Sequence, residues 1–311
     1  MRIGVGTNQA ARGRAATIDE LIGQVATYAR HGFDKAVFAQ LSGVDVLTII
    51  ALAGRVVPDI ELETAVVPIY PRHPVALAQQ ALTTQAAIGG RLTLGVGLSH
   101  RPMVENGWGL SFERPVDYMQ EYLAILQPLL HGQSVAFSGR RFKSQMQLAT
   151  PEVTPPSVVL AALGERMLRL AGEQTDGTAT WMVGPKTLAS HITPIITAAA
   201  RKAGRPAPRI IVGLPICVTN DPEAARARAA RVFERYAQLP SYKAMLEREG
   251  AANPADVAVV GSEADVEWQL AEIERAGGTE LNASVFGSVE EQQRTFEFLH
   301  TQVANVRSTP V

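Results

Sequence analysis

The sequence predicts a (β/α)8 barrel, the TIM barrel, with insertions after strand 4 and after strand 7. Three observations lead there. Eight short apolar runs alternate strictly with helical patterns from one end of the chain to the other. The runs are apolar on both faces, as strands of a parallel sheet covered by helices must be. No repeat, low-complexity stretch or interdomain linker breaks the series, so one domain over residues 1–311 is expected. A doubly wound open sheet is the alternative with the same alternation.

Taken in order, "RIGVGT" (2–7) is the first strand, followed by "TIDELIGQVATYARHG", where Ile18, Leu21, Ile22, Val25 and Ala29 fall at helical spacing. Thr17 and Glu20 stand at capping-box spacing, and Gly32 sits where a helix stops. Strand two is "KAVFAQ" (35–40), before a helix over 44–56. Strand three is "IELETAVVP" (60–68), and Pro74 opens the next helix, which runs to about Ile88. "RLTLGVG" (91–97) is strand four, followed by a helix around 114–131 and an irregular insertion over 133–156 with hairpin character. The second half continues with "SVVLAAL", the helix "ERMLRLAGEQ", "GTATWMV", the helix 187–204 and "RIIVGLPICVT". Asp221 and Pro222 cap and open a helix over 222–238; an excursion over 239–261, a helix over 263–276, "ELNASVF" and a closing helix from about 289 complete the chain.

Composition narrows the function. With 29 Lys+Arg against 30 Asp+Glu there is no basic stripe for nucleic acid, and 46% hydrophobic residues suffice for a large core. The single cysteine, Cys217, rules out a disulfide within one chain and a cysteine-based zinc site. The N-terminus lacks the apolar segment of a signal peptide, and no apolar run approaches the roughly 18 residues of a membrane span. A cytoplasmic protein without membrane or nucleic-acid partners is expected.

Two glycine pairs invite comparison with dinucleotide-binding loops. "GVGTNQ" (4–9) and "GVGLSH" (95–100) place Gln9 and His100 where the third glycine belongs, so Gly4 and Gly6 read as small residues where strands crowd. In a barrel, chemistry gathers at the C-terminal ends of the strands. The residues there are Thr7, Asn8, Gln40, Val66 to Pro68, Leu98 to His100, Gly164 to Met167, Thr180, Trp181 and Phe286. The set holds no carboxylate pair of the glycosidase kind and no histidine pattern that ligates a metal. Residues so poor in acids and bases point to an organic cofactor that carries the chemistry.

Arg72, Pro74, Leu77-Ala78, Gly90-Arg91 and Leu94-Gly95-Val96-Gly97, with "GFDKAVFAQ" (32–40), "ETAVVP" (63–68) and "LRLAGEQTDG" (168–177), give the chain its likeness. It resembles the bacterial luciferase-like family of flavin and deazaflavin oxidoreductases. "WGLSFERP" (108–115) and the general look of the chain place it nearest the branch that uses coenzyme F420, an 8-hydroxy-5-deazaflavin, with FMN as the alternative.

The resemblance implies a (β/α)8 barrel, a homodimer, a small organic substrate and a hydride-transfer reaction. An FMN-dependent monooxygenase and a non-catalytic flavin- or deazaflavin-binding protein are the alternatives. It also implies a bulge with a non-prolyl cis peptide at Ala65 and Val66 against the ring. Many relatives carry Asp-His where this chain has Gln40-Leu41: Gln40 can still hydrogen-bond the ring, whereas Leu41 cannot move a proton. His100 becomes the proton donor or acceptor, and Gly97, Leu98, Ser99 and Met103 line the cofactor beside it. The glycines of "LTLGVG" are expected to make room for that cofactor. Backbone N–H groups at Gly164, Arg166 and Met167 suit its phosphate, and Asn8, Trp108, Trp181 and the 239–261 excursion shape the substrate pocket.

Overall fold

The computed structural model describes residues 1–11, 14–40 and 42–308. Each apolar run becomes a strand: β1 (Arg2–Gly6), β2 (Lys35–Phe38), β3 (Glu61–Thr64, resuming at Val67–Pro68), β4 (Leu92–Gly97), β5 (Ser157–Ala161), β6 (Gly177–Trp181), β7 (Arg209–Val218) and β8 (Glu280–Val285). Hydrogen bonding runs β5-β6-β7-β8-β1-β2-β3-β4, and β4 pairs again with β5. The order therefore closes on itself as the eight-stranded parallel (β/α)8 barrel that the alternation predicts.

The helices are α1 (Ile18–Arg30), α2 (Val46–Val56), α3 (Pro74–Ala87), α4 (Pro115–Leu130), α5 (Glu165–Gln174), α6 (Thr193–Lys202), α7 (Pro222–Ala237), α8 (Pro240–Glu249), α9 (Glu263–Arg275) and α10 (Val289–Ser308). Their starts follow the sequence. Thr17 and Glu20 exchange hydrogen bonds across the first turn of α1, at 3.2 and 2.8 Å. Gly32 ends that turn region with φ 72°, Pro74 opens α3 behind the His73 cap, and Asp221 caps α7.

Chain contacts form two compact units. One comprises Met1–Gly6, Tyr28–Val37 and the chain from Ala162 on; the other comprises Thr7–Thr27 and Phe38–Ala161. In the first, the β6–β2 unit, the core is built around β7, where Ile210 to Val218 are all buried. This unit also carries a buried ion cluster. Lys35 has no solvent exposure, and its Nζ lies 2.8 Å from Glu280 Oε2. Arg209 grips the same carboxylate through Nε at 2.5 Å and a second guanidinium nitrogen at 2.9 Å. Gly4 is small for this reason: a Cβ there would come within 3.0 Å of both Lys35 Cε and Val37 Cγ2.

In the second, the β3–β5 unit, β4 is buried along its whole length, and Tyr122, Leu123, Ile125, Leu126 and Leu129 of α4 are fully buried. Arg91, just before β4, donates to four carbonyls: Gly54 (2.7 Å), Val57 (3.1 Å), Ile60 (2.7 Å) and Ile88 (2.9 Å). The Gly-Arg pair thus clasps the ends of α2 and α3 to the start of β3. Arg91→Ala would leave those carbonyls without their charged donor. It should lower unfolding free energy by about 2–4 kcal/mol, read from the denaturant midpoint.

Three details depart from the sequence reading, and one agrees with it. The 239–261 excursion contains α8, a 3-10 turn (Pro254–Val257) and a short strand (Val259–Gly261) that pairs with β7. The 133–156 insertion holds the antiparallel hairpin expected there, Val135–Ser138 with Lys143–Met146. The helix expected over 187–204 begins at Pro185 and passes through a π turn, Leu188–Ile192, before α6. A small antiparallel pairing, Ala10 with Ala15, follows β1 and was not foreseen. Mid-helix Gly23 faces open space on α1, so Gly23→Ala should stabilise the protein by about 0.5–1 kcal/mol in the same denaturant titration.

Candidate active site

In the β3–β5 unit the expected site begins with a break in register. Leu62 and Glu63 pair with Leu92 and Thr93, whereas Val67 and Pro68 pair with Val96 and Gly97. Thr64, Ala65 and Val66 therefore stand opposite Leu94 and Gly95 alone, which is a β-bulge. The Ala65–Val66 peptide is cis, as the resemblance implies. Ala65 N–H donates to Phe38 O at 2.8 Å, and Thr64 Oγ1 donates to Gly95 O at 2.8 Å. Both Ala65 and Val66 are half-buried, between fully buried neighbours on either side.

The glycines of β4 serve this bulge directly. A Cβ on Gly95 would lie 2.0 Å from the Thr64 carbonyl oxygen, and one on Gly97 would lie 2.6 Å from Val66 Cγ2. What the glycines admit is the backbone and side chain of the neighbouring strand. Ile69 N–H then donates to Gly97 O at 3.0 Å, which turns the chain at the end of β3.

Gln40 follows β2 and is half-buried. Its Oε1 accepts from Val46 N–H at 3.1 Å, so its amide nitrogen is the end left to donate. That first turn of α2 is itself held. Asp45 caps it through Thr48 N–H (2.9 Å) and Thr48 Oγ1 (2.8 Å), and receives Arg72 at 2.5 Å and Gln80 Nε2 at 3.0 Å. Burial alone would raise the Asp45 carboxyl; the Thr48 donors and the Arg72 guanidinium outweigh it and hold the group below the usual range. Sequence reasoning missed Asp45, although an aspartate directly before "VLTII" is a readable cap. Leu41 lies outside the described residues.

After β4, Leu98, Ser99 and His100 are half-buried, and Ser99 adopts a left-handed φ of 60°. The His100 carbonyl accepts from Val104 N–H at 3.0 Å and so starts the π turn Met103–Gly107. Met103 is exposed, and Trp108 is the half-buried residue that ends this turn. Asn8 is exposed at the end of β1, its backbone N–H and C=O both engaged by the Gln24 amide, at 2.7 and 3.0 Å. Tyr70, just beyond β3, was also missed. It stacks on Tyr118 and Phe112 with centroids at 4.4 and 5.5 Å, and burial pushes its phenol up to about 12.

In the β6–β2 unit, α5 starts at Gly164 without a side-chain cap. A Cβ on Gly164 would meet nothing within 4 Å, so the residue before the first turn is not crowded by its neighbours. Arg166 is exposed, whereas the Met167 side chain is buried at 6% exposure, so its contribution there is its backbone. Thr180 Oγ1 donates to Ile211 O at 3.3 Å, and Phe286 N–H donates to Ile216 O at 3.1 Å. Trp181 and Phe286 are brought into one aromatic cluster through Phe233, at 6.0 and 5.9 Å.

The luciferase-like monooxygenase family matches residues 1–280 of this chain. The chain belongs to that family. Among luciferase-like relatives, the 5,10-methylenetetrahydromethanopterin reductase of Methanolobus tindarius is 28% identical over 247 residues, covering 76% of this chain and 74% of the relative. A solved F420-dependent secondary alcohol dehydrogenase, in complex with an F420-acetone adduct, superposes with TM-score 0.79 at 17% identity over 95% of this chain and 97% of that one. The oxygenating constituent of 3,6-diketocamphane monooxygenase from Pseudomonas putida, a type II Baeyer-Villiger monooxygenase with FMN, superposes with TM-score 0.78 at 19% identity over 98% of each chain. These luciferase-like folds thus accompany both oxidoreductase and monooxygenase activities, with F420 or FMN. Among the described residues of the chain, no helix is long and apolar enough to cross a membrane.

Proposed function

We propose that the chain is an oxidoreductase that moves a hydride between coenzyme F420 and a small organic molecule. The observation that carries this reading is the bulge. Its Ala65–Val66 segment is an apolar, half-buried ledge at the C-terminal end of a strand otherwise fully buried there, which suits one face of a flat ring. The sequence relatives support it: the M. tindarius reductase and an F420-dependent hydroxymycolic acid dehydrogenase of Mycobacterium tuberculosis, 27% identical over 215 residues and covering 67% of this chain and 59% of that one, both lie on the oxidoreductase side.

The donor set fits such a cofactor. Gln40, its oxygen held by Val46, offers N–H to an acceptor on the ring's polar edge. The uncapped first turn of α5, at Gly164, Arg166 and Met167, suits a phosphate because its N–H groups and the helix dipole both favour an anion. Gly97, Leu98, Ser99 and Met103 would contact the cofactor along the segment after β4, and Asn8, Trp108 and Trp181 would contact the substrate. Bound F420 would supply a carbon centre that gives or takes a hydride and reacts poorly with oxygen. His100 would hold or move the proton on the substrate oxygen.

Fluorescence titration of the purified protein with F420 and, separately, FMN tests this reading. Saturable F420 binding with none for FMN is expected, and His100→Ala should keep that binding while losing about 100-fold or more in turnover. FMN binding alone would instead favour the monooxygenase reading, which the diketocamphane enzyme's fold supports equally well. Binding of neither would leave the barrel without either chemistry. The same reading takes the protein to be a cytoplasmic homodimer, which gel filtration checks for the assembly.

A further inference from the structure

Gln40 is held through its main chain and through its side chain, and the two holds have different origins. Two residues earlier, Phe38 O accepts from Ala65 N–H of the bulge at 2.8 Å. One residue earlier, Ala39 O accepts from Gln9 Nε2 at 2.6 Å. The backbone leading to Gln40 is thus tied to the bulge. Ala39, Ser42 and Gly43 are exposed, so this stretch lies open to solvent. The side chain is tied elsewhere: its oxygen accepts from the N–H of Val46, the first residue of α2. That N–H has no acceptor within the helix. Gln40 is therefore fixed only as firmly as the start of α2.

Asp45 fixes that start. Its carboxylate collects four donors from three parts of the chain: Oδ1 takes Thr48 N–H and Oγ1 from α2 and Gln80 Nε2 from α3, and Oδ2 takes Arg72. Arg72 is set in turn by the strand that carries the bulge. Its N–H donates to Ile69 O at 3.1 Å, and Ile69 N–H donates to Gly97 O at 3.0 Å. Val46 follows Asp45 across a single planar peptide, so the direction of its N–H is set by the Asp45 backbone. The bonds close a circuit from the bulge through the end of β3, Arg72, Asp45, Val46 and Gln40, and back through Phe38 to Ala65. A helix cap needs only the donors of its own first turn; Arg72 and Gln80 come from outside it. The helix also has a second anchor, because Val46, Leu47, Ile49 and Ile50 are buried at 1% exposure or less.

We infer that Asp45 is a positioning residue: through Val46 it fixes the Gln40 carboxamide relative to the Ala65–Val66 ledge, so that the Gln40 N–H meets an acceptor on a flat ring lying there. This rests on the function proposed above in taking that ring to be the one of F420. A donor already set at the right spacing from the ledge loses little rotamer freedom when a rigid ring binds, and affinity rises by that saving. Without Asp45, α2 keeps its buried face, but its first residue can turn and Gln40 turns with it.

A double-mutant cycle on F420 affinity, in the full chain, tests this. Gln40→Met removes the donor and Asp45→Ala removes the link. Each alone should weaken F420 about 5- to 20-fold, and the double variant should bind within about twofold of Gln40→Met. A cap that serves folding alone would weaken F420 by the same factor with or without Gln40→Met. That outcome overturns the inference, as does unchanged affinity in either single variant. Should Asp45→Ala fail to fold by circular dichroism, Arg72→Met, which leaves the Thr48 bonds of the cap, takes its place in the cycle with the same pattern expected. A second readout needs no cofactor. In the ligand-free protein Asp45→Ala, or Arg72→Met in its place, should speed hydrogen exchange at the Val46 amide roughly 10-fold or more relative to the Ile50 amide further along α2. Unchanged protection of Val46 overturns the inference. If the unaltered protein takes up no F420, the proposed function falls, and exchange at Val46 alone decides whether Asp45 holds Gln40 in place.

Discussion

Gly95→Ala is expected to destabilise the protein by about 3 kcal/mol or more, a large share of the roughly 5–15 kcal/mol that holds a domain of ordinary stability folded. The added methyl would sit 2.0 Å from the Thr64 carbonyl oxygen, well inside van der Waals contact. That oxygen belongs to backbone in the bulge, and it cannot swing aside as a side-chain tip would. Both strands are buried here and Thr64 is tied to Gly95 O at 2.8 Å, so relief would require the β3–β4 ladder to separate. Urea midpoints of this variant and of Gly23→Ala, whose new methyl meets open space, make the comparison. The two substitutions are chemically identical and should shift the midpoint in opposite directions. Equal stability of Gly95→Ala and the unaltered protein would mean that the bulge does not cross Gly95.

The second large effect concerns the buried ion cluster. Lys35→Met should cost about 3–5 kcal/mol, because removing one partner of a buried pair leaves the other charge poorly compensated. Acid should act on the same cluster. Burial pushes the Glu280 carboxyl upward, but the Arg209 fork and Lys35 more than offset it and hold it at about 2, against 4.5 for the free group. A carboxyl whose folded pKa is depressed releases its proton more readily in the folded state. Its stabilisation, roughly 3 kcal/mol, is therefore present above about pH 5 and is lost as pH falls toward 2. Denaturant midpoints between pH 7 and pH 2 should show this fall, and Lys35→Met should flatten it. A midpoint independent of pH across that window would contradict the assignment.

The distribution of these features explains what could be read from the chain alone. Apolar runs separated by helical spacing are local patterns, and they specify β1 to β8 and most helix starts, including the Thr17–Glu20 box and Pro74. The bulge is a relation between two strands. "ETAVVP" reads as one continuous run, and only the shift in pairing with β4 reveals the extra residue. Resemblance pointed to Ala65 and Val66; periodicity could not. Lys35 inside "KAVF" was likewise opaque, because its partners Arg209 and Glu280 are remote in sequence.

Helix α8 is a different case. Pro240 at its start and Gly250 at its end, with φ 76°, are legible boundary residues. Only Met245 and Leu246 are buried between them, so the apolar periodicity that identifies the longer helices is weak here. At the candidate site, sequence supplied the residues Gln40, His100 and Trp181 but not their orientation. Which end of the Gln40 amide is taken, and that the Trp181 nitrogen is left over, are outcomes of folding.

The hold of Val46 on Gln40 has one more consequence. With its oxygen engaged by a backbone N–H, the side chain keeps its two amide N–H donors for a further partner. An amide neither gains nor loses a proton across the range in which the protein stays folded. Any hydrogen-bonding partner of position 40 would therefore meet the same uncharged amide in acid and alkali, where a histidine would change sign near neutrality.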